Sequence, residues 1–167
     1  MSDPIPIERL QPCLLDRLTD DDPGNPHESR NQRVISAQKY RKGVIRDLEW
    51  LFNASAQFFT SSVASPSAVS NYPEVARSVL NFGTRQMAGL ICPNLEKLRE
   101  ELTQALSTFE PRLLPRSVQL TTSRDRNVVT FEIHGDLWAT PVPEHLFIRT
   151  QVDLETGQSA LGDGGHG

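Results

Sequence analysis

Glu110 and Arg112 are the residues best placed by type and spacing to do chemistry, flanking Pro111 in the run Phe109-Glu110-Pro111-Arg112. Pro111 disfavours the helical region for Glu110, so the chain turns extended there. Positions two apart in an extended chain point to the same side. An acid and a guanidinium so placed can turn a carboxylate and a bidentate donor towards one partner surface, which suits docking more than catalysis. A glycosidase would need two carboxylates, one of them protonated, across a sugar site. Glu74, Glu110, Glu132 and Asp153 are the candidates on paper. Any acidic chain offers such a set, and a cation beside Glu110 favours the ionised form, the wrong one for a general acid.

Other chemistries lack their residues. No lysine follows a glycine, so there is no phosphate loop, and there is no Gly-x-Ser-x-Gly elbow. Gly162-Asp163-Gly164-Gly165 sits in no strand–helix unit that would make it a dinucleotide fingerprint. His27, His134, His145 and His166 show no metal-ligand spacing, and His134 reads as a solvated residue on a strand's polar face. No enzyme activity, cofactor or metal is expected. The 167 residues suit one domain, with 37% hydrophobic and 23% charged residues. A net charge of −4 does not suggest nucleic-acid binding. No apolar run approaches a membrane span, and Cys13 and Cys92 read as reduced thiols of a cytoplasmic protein.

The elements that must hold Glu110 and Arg112 follow from periodicity. Leu95, Leu98, Leu102, Leu106 and Phe109 recur at helical spacing after a capping Asn94. Ser36 caps a helix expected over about 37–53, with Tyr40, Val44, Leu48 and Leu51 as its apolar stripe and charged residues opposite. A short helix is expected over roughly 73–80, with Gly83 as its left-handed C-cap. The serine-rich stretch 54–71 extends the first helix briefly through Phe58 and Phe59, then loops. After Arg112 the period changes to two. Strands are expected around Val118–Thr122, Val129–Leu137 and Leu146–Leu154, with a hairpin turn at 123–127 and a bulge at Gly135. The fold class is α+β: N-terminal helices packed on a C-terminal three-stranded antiparallel meander. Residues 1–35 form an arm and polar linker, with Leu10, Leu14, Leu15 and Leu18 able to dock on the domain or on a partner. The domain covers 36–160, helical over 36–109 and a meander over 113–155, and 161–167 is a flexible tail. Physics alone favours sheet edges protected by arginines and prolines.

Four segments occur in an order that resembles a known family. They are Leu14-Leu15-Asp16-Arg17-Leu18, Tyr40 through Asn53, Ser78-Val79-Leu80-Asn81-Phe82-Gly83, and Phe109-Glu110-Pro111-Arg112-Leu113. The chain is similar, from about 10 to 157, to the TssE baseplate subunits of type VI secretion systems, relatives of the wedge protein that starts the sheath of contractile phage tails. After Gly83 many relatives continue with a proline and an acid, where this chain has Thr84-Arg85-Gln86-Met87. The resemblance implies a structural, cytoplasmic protein of the membrane-docked baseplate, without membrane insertion of its own. It implies docking on the wedge subunits TssF and TssG and on TssK. It implies a sheet offered to the sheath proteins TssB and TssC, which reverses the expectation of protected edges. Glu110, Pro111 and Arg112 are carried over as partner-binding residues, and that role predicts that Arg112→Ala spares the fold. Relatives have carried a lysozyme-like label, and the fold family includes the anti-adaptor IraD. Peptidoglycan cleavage and regulatory binding are therefore the alternatives.

Overall fold

The computed structural model describes residues 10, 12–19, 24, 35–56, 72–139 and 143–163. Helix α1 (Leu14–Leu18) is short, α2 runs Ala37–Asn53 and α3 runs Leu95–Phe109. The expected caps do their work: Ser36 Oγ accepts from Lys39 N at 3.2 Å, and Asn94 Oδ1 accepts from Lys97 N at 3.1 Å. Each satisfies a donor that a helix start leaves without an intrahelical partner. Helix α2 stops at Asn53, so no extension runs through 54–56; Phe58 and Phe59 lie outside the described residues.

Among the described residues the sheet has four antiparallel strands in the order β1-β2-β3-β4, not three: β1 (Gln119–Asp125), β2 (Val128–Leu137), β3 (Glu144–Asp153) and β4 (Ser159–Asp163). The fourth arises because the turn at 154–158 does not lead the chain away. Gly157, at φ +74°, donates its N–H to Asp153 O, and the chain folds back on β3 with Ser159 opposite Val152. Strand β4 thus takes in 161–163, read from sequence as tail; 164–167 lie outside the described residues. Strand β2 alternates buried and half-buried residues throughout. Gly135 pairs with Leu146 in unbroken register and is no bulge; a Cβ there would sit 3.2 Å from Leu113 Cδ2, so it makes room for that leucine. One apolar cluster unites Val44, Leu48 and Leu51 of α2, Leu98, Leu102 and Leu106 of α3, and the inner faces of β2 and β3. Helix α2 contacts β4 and α3 contacts β1.

Between α2 and α3 the expected single helix is two 3-10 segments, Pro73–Arg77 and Val79–Asn81. Gly83 lies beyond them and has another task. Thr84 N donates to Ala54 O and Ala56 N to Thr84 O, both at 2.9 Å, so the chain after α2 pairs with the chain returning from the 3-10 segments. At Gly83, φ is +129°, and a Cβ would stand 2.4 Å from Ala54 O. Only glycine combines that dihedral with that approach.

The arm meets the domain through Leu10, which is buried and accepts from Ile35 N at 3.0 Å. Helix α1 buries no residue, and Leu14 and Leu18 are more than 70% exposed. No described helix is long and apolar enough to cross a membrane.

Candidate functional site

Helix α3 carries Glu110 to its place. The buried stripe Leu98, Leu102 and Leu106 fixes the helix on the core, and Glu110, as C-cap, donates its N–H to Leu106 O at 2.9 Å. The exit is stitched to the end of β2: Trp138 N donates to Arg112 O at 2.7 Å and Leu114 N to Asp136 O at 2.9 Å, around the bridge Leu113–Leu137. The turn is therefore held on both sides.

Within it Glu110 and Arg112 pair with each other. Glu110 is 3% exposed. Arg112 Nε donates to Oε1 at 2.6 Å and Nη2 to Oε2, a fork on one carboxylate, while the Arg112 amide adds a bond to Oε1 at 3.2 Å. A buried carboxylate is costly unless paired, and this one is neutralised by the nearest guanidinium. With this geometry a loss of stability is the expected outcome of Arg112→Ala, because that change strands Glu110 inside.

The pair is the end of a longer chain of charges. Arg112 Nη2 also donates to Asp47 Oδ2 of α2 at 2.7 Å. Asp47 Oδ1 accepts from Arg46 Nε and Nη2 at 2.9 and 2.8 Å. Arg46 Nη1 reaches Asp16 of α1 at 2.6 Å, and Asp16 Oδ2 accepts from the capping Cys13 thiol at 3.1 Å. The order Glu110, Arg112, Asp47, Arg46, Asp16 alternates in sign and ties three helices together. Gly43 eases this approach, since a Cβ there would meet Asp16 Oδ2 at 3.2 Å. Burial alone would lower the Arg112 pKa, but the bonds and charge of Glu110, then of Asp47, outweigh it and raise it. The Asp16 bond, against some desolvation, raises that of Arg46. Burial would raise Asp16; the bonds from Arg46 and Cys13 outweigh it and lower its pKa.

Asp47, Arg46 and Asp16 were not singled out from sequence. Asp47 carried a signal: it follows Tyr40 and Val44 at spacings of seven and three, on the margin of the apolar stripe, where a charged side chain is half-covered. Trp138 was missed too. It lies 60% exposed, hydrogen-bonded through its backbone to Arg112, and its carbonyl accepts from Tyr40 Oη at 3.1 Å. Beside it Pro111 is exposed and the Arg112 side chain is 19% exposed. Pro111, Arg112 and Trp138 thus form an outward rim over a buried clamp. Arginine and tryptophan are the types most enriched where binding energy concentrates.

The remaining candidates are dispersed. Glu132 pairs with Arg149 across β2 and β3, Asp153 accepts from the amides of the turn at 155–156, and Glu74 is exposed on a 3-10 segment. His134 is not simply solvated: it stacks on Phe147, ring centroids 4.3 Å apart. His27 and His166 lie outside the described residues. Among the described residues no group of histidine, cysteine or acid could hold a metal ion.

Residues 38–142, well over half of the chain, match the model of a family described as baseplate wedge protein gp25. No curated protein and no solved structure gives a significant match.

Proposed function

The chain belongs to the baseplate wedge protein gp25 family, and from that premise we propose that it is a structural subunit of a type VI secretion baseplate. It docks on the wedge subunits TssF and TssG, with TssK in the same assembly, and offers its sheet to the first ring of the sheath proteins TssB and TssC. The observation that carries this reading is the extent of the family match, which takes in α2, the Glu110–Arg112 clamp and the first two strands together. The clamp supports it: Glu110 orients Arg112, and the outward rim of Pro111, Arg112 and Trp138 makes the contact.

The test is co-purification from the protein's own host followed by mass spectrometry, with Trp138→Ala alongside. Trp138 is exposed, so its truncation leaves the fold in place, whereas Arg112→Ala confounds docking with the stranding of Glu110. Baseplate and sheath subunits recovered with the unaltered chain and reduced about tenfold or more with Trp138→Ala are the expected result for an interface anchor. Recovery of neither, or of a response regulator alone, overturns the reading.

A further inference from the structure

Trp138 lies one residue beyond the last pair of the β2–β3 ladder, Leu137 with Glu144, so the ladder does not hold it. Two other bonds do. Its N–H donates to Arg112 O at 2.7 Å, and its carbonyl accepts from Tyr40 Oη of α2 at 3.1 Å. Tyr40 is 5% exposed and belongs to the apolar cluster. Filling that space needs only the ring. A buried hydroxyl costs stability unless it is bonded, so an apolar residue would serve the core as well. Among the described residues the Tyr40 hydroxyl bonds the Trp138 carbonyl, 98 positions away in sequence. Burial raises the Tyr40 pKa above its ordinary value, against the nearby Arg112, so the hydroxyl keeps its proton and stays a donor.

The surroundings of Tyr40 extend this hold. Arg41 Nη1 donates to His145 O at 3.1 Å, so consecutive residues of α2 grip the chain after β2 and the start of β3. Asp47, seven residues on and therefore on the same side of the helix, takes Arg112 Nη2 at 2.7 Å. One side of α2 thus holds both halves of the rim, Trp138 through Tyr40 and Arg112 through Asp47. An anchor held in place beforehand avoids the cost of ordering it on contact. We infer that Tyr40 is a positioning residue: its hydroxyl fixes the Trp138 peptide and so keeps the rim of Pro111, Arg112 and Trp138 preformed. What that rim contacts rests on the baseplate reading; the positioning does not.

The test is Tyr40→Phe in the full chain, which keeps the ring and removes the bond. Hydrogen exchange is followed by NMR at two amides of the same turn: Trp138, bonded to Arg112 O, and Leu114, bonded to Asp136 O. Exchange at Trp138 is expected to quicken about fivefold, the factor that one hydrogen bond accounts for, with Leu114 unchanged. Val44→Ala, one turn along at a fully buried site, is the control for plain loss of stability and is expected not to separate the two amides. Equal acceleration of both amides in Tyr40→Phe, none at Trp138, or the same separation in Val44→Ala overturns the inference. In co-purification from the host, Tyr40→Phe is expected to recover about fivefold less of the baseplate subunits than the unaltered chain. Selective exchange at Trp138 with full recovery upholds the positioning and overturns the rim as the contact.

Discussion

Glu110 has one buried carboxylate and a guanidinium two residues away that neutralises it, so the two cannot be altered independently. Removing one partner of a buried ion pair leaves an uncompensated charge, which costs about 3 kcal/mol or more. Arg112→Ala is therefore expected to lower the urea midpoint markedly. Adding Glu110→Gln to it is expected to recover part of the loss, because the neutral amide no longer needs a cation. Equal midpoints for the single and double variants would show that the carboxylate is not what Arg112 supports. At Gly83 the constraint is steric. Gly83→Ala pushes a methyl against Ala54 O in a dihedral that alanine rarely adopts, and a loss of about 1–3 kcal/mol is expected in the same assay.

Helix α1 shows how an element can be held without burial. Its leucines stay in solvent, and Asp16 secures it to Arg46. Because the Asp16 pKa is lowered on folding, its contribution is complete above the ordinary aspartate value of 3.8 and is lost as pH falls through the lower folded value. The arm is expected to loosen in that acid window. Arg46, which Asp47 still holds, loses its bond to Asp16 while lying 5.2 Å from the Trp50 ring, so Trp50 emission in a Trp138→Phe background is expected to report the step. Asp16→Asn is expected to show the loosened emission already at neutral pH, and an unchanged signal would contradict this account. The leucine cluster 10–18 was legible as an arm, but not the division within it: Leu10 goes inside, and α1 is tethered by charge. Nothing in a run of leucines says which of them a neighbouring helix can cover. Helices α2 and α3 were legible nearly to the residue, because caps and stripes are local signals. Strand β4 was not, because Ser159–Asp163 has little apolar alternation and takes its place from pairing with β3. The pairing of Glu110 with Arg112 was legible, but its inward direction depends on burial, which two residues cannot reveal.

The helices and the inner sheet face contribute to one apolar cluster, so the molecule is expected to unfold as a unit. Far-ultraviolet circular dichroism, dominated by α2 and α3, and Trp138 emission at the end of β2, read in a Trp50→Phe background, should give one coincident transition. Phe131→Ala, at a fully buried site of β2, is expected to shift both together by about 3–5 kcal/mol. Separate midpoints would mean that helices and sheet are independent units. The backbone bonds between Ala54, Ala56 and Thr84 have a consequence for engineering. They act as a clasp, holding the chain that leaves α2 beside the chain at Thr84. The entropic penalty for lengthening a loop already closed at its base grows by only about 0.6 kcal/mol per doubling. A fluorescent reporter inserted directly after Ala56 would join the chain at that clasp, marking each copy in living cells while α2, the charge chain and the sheet keep their places.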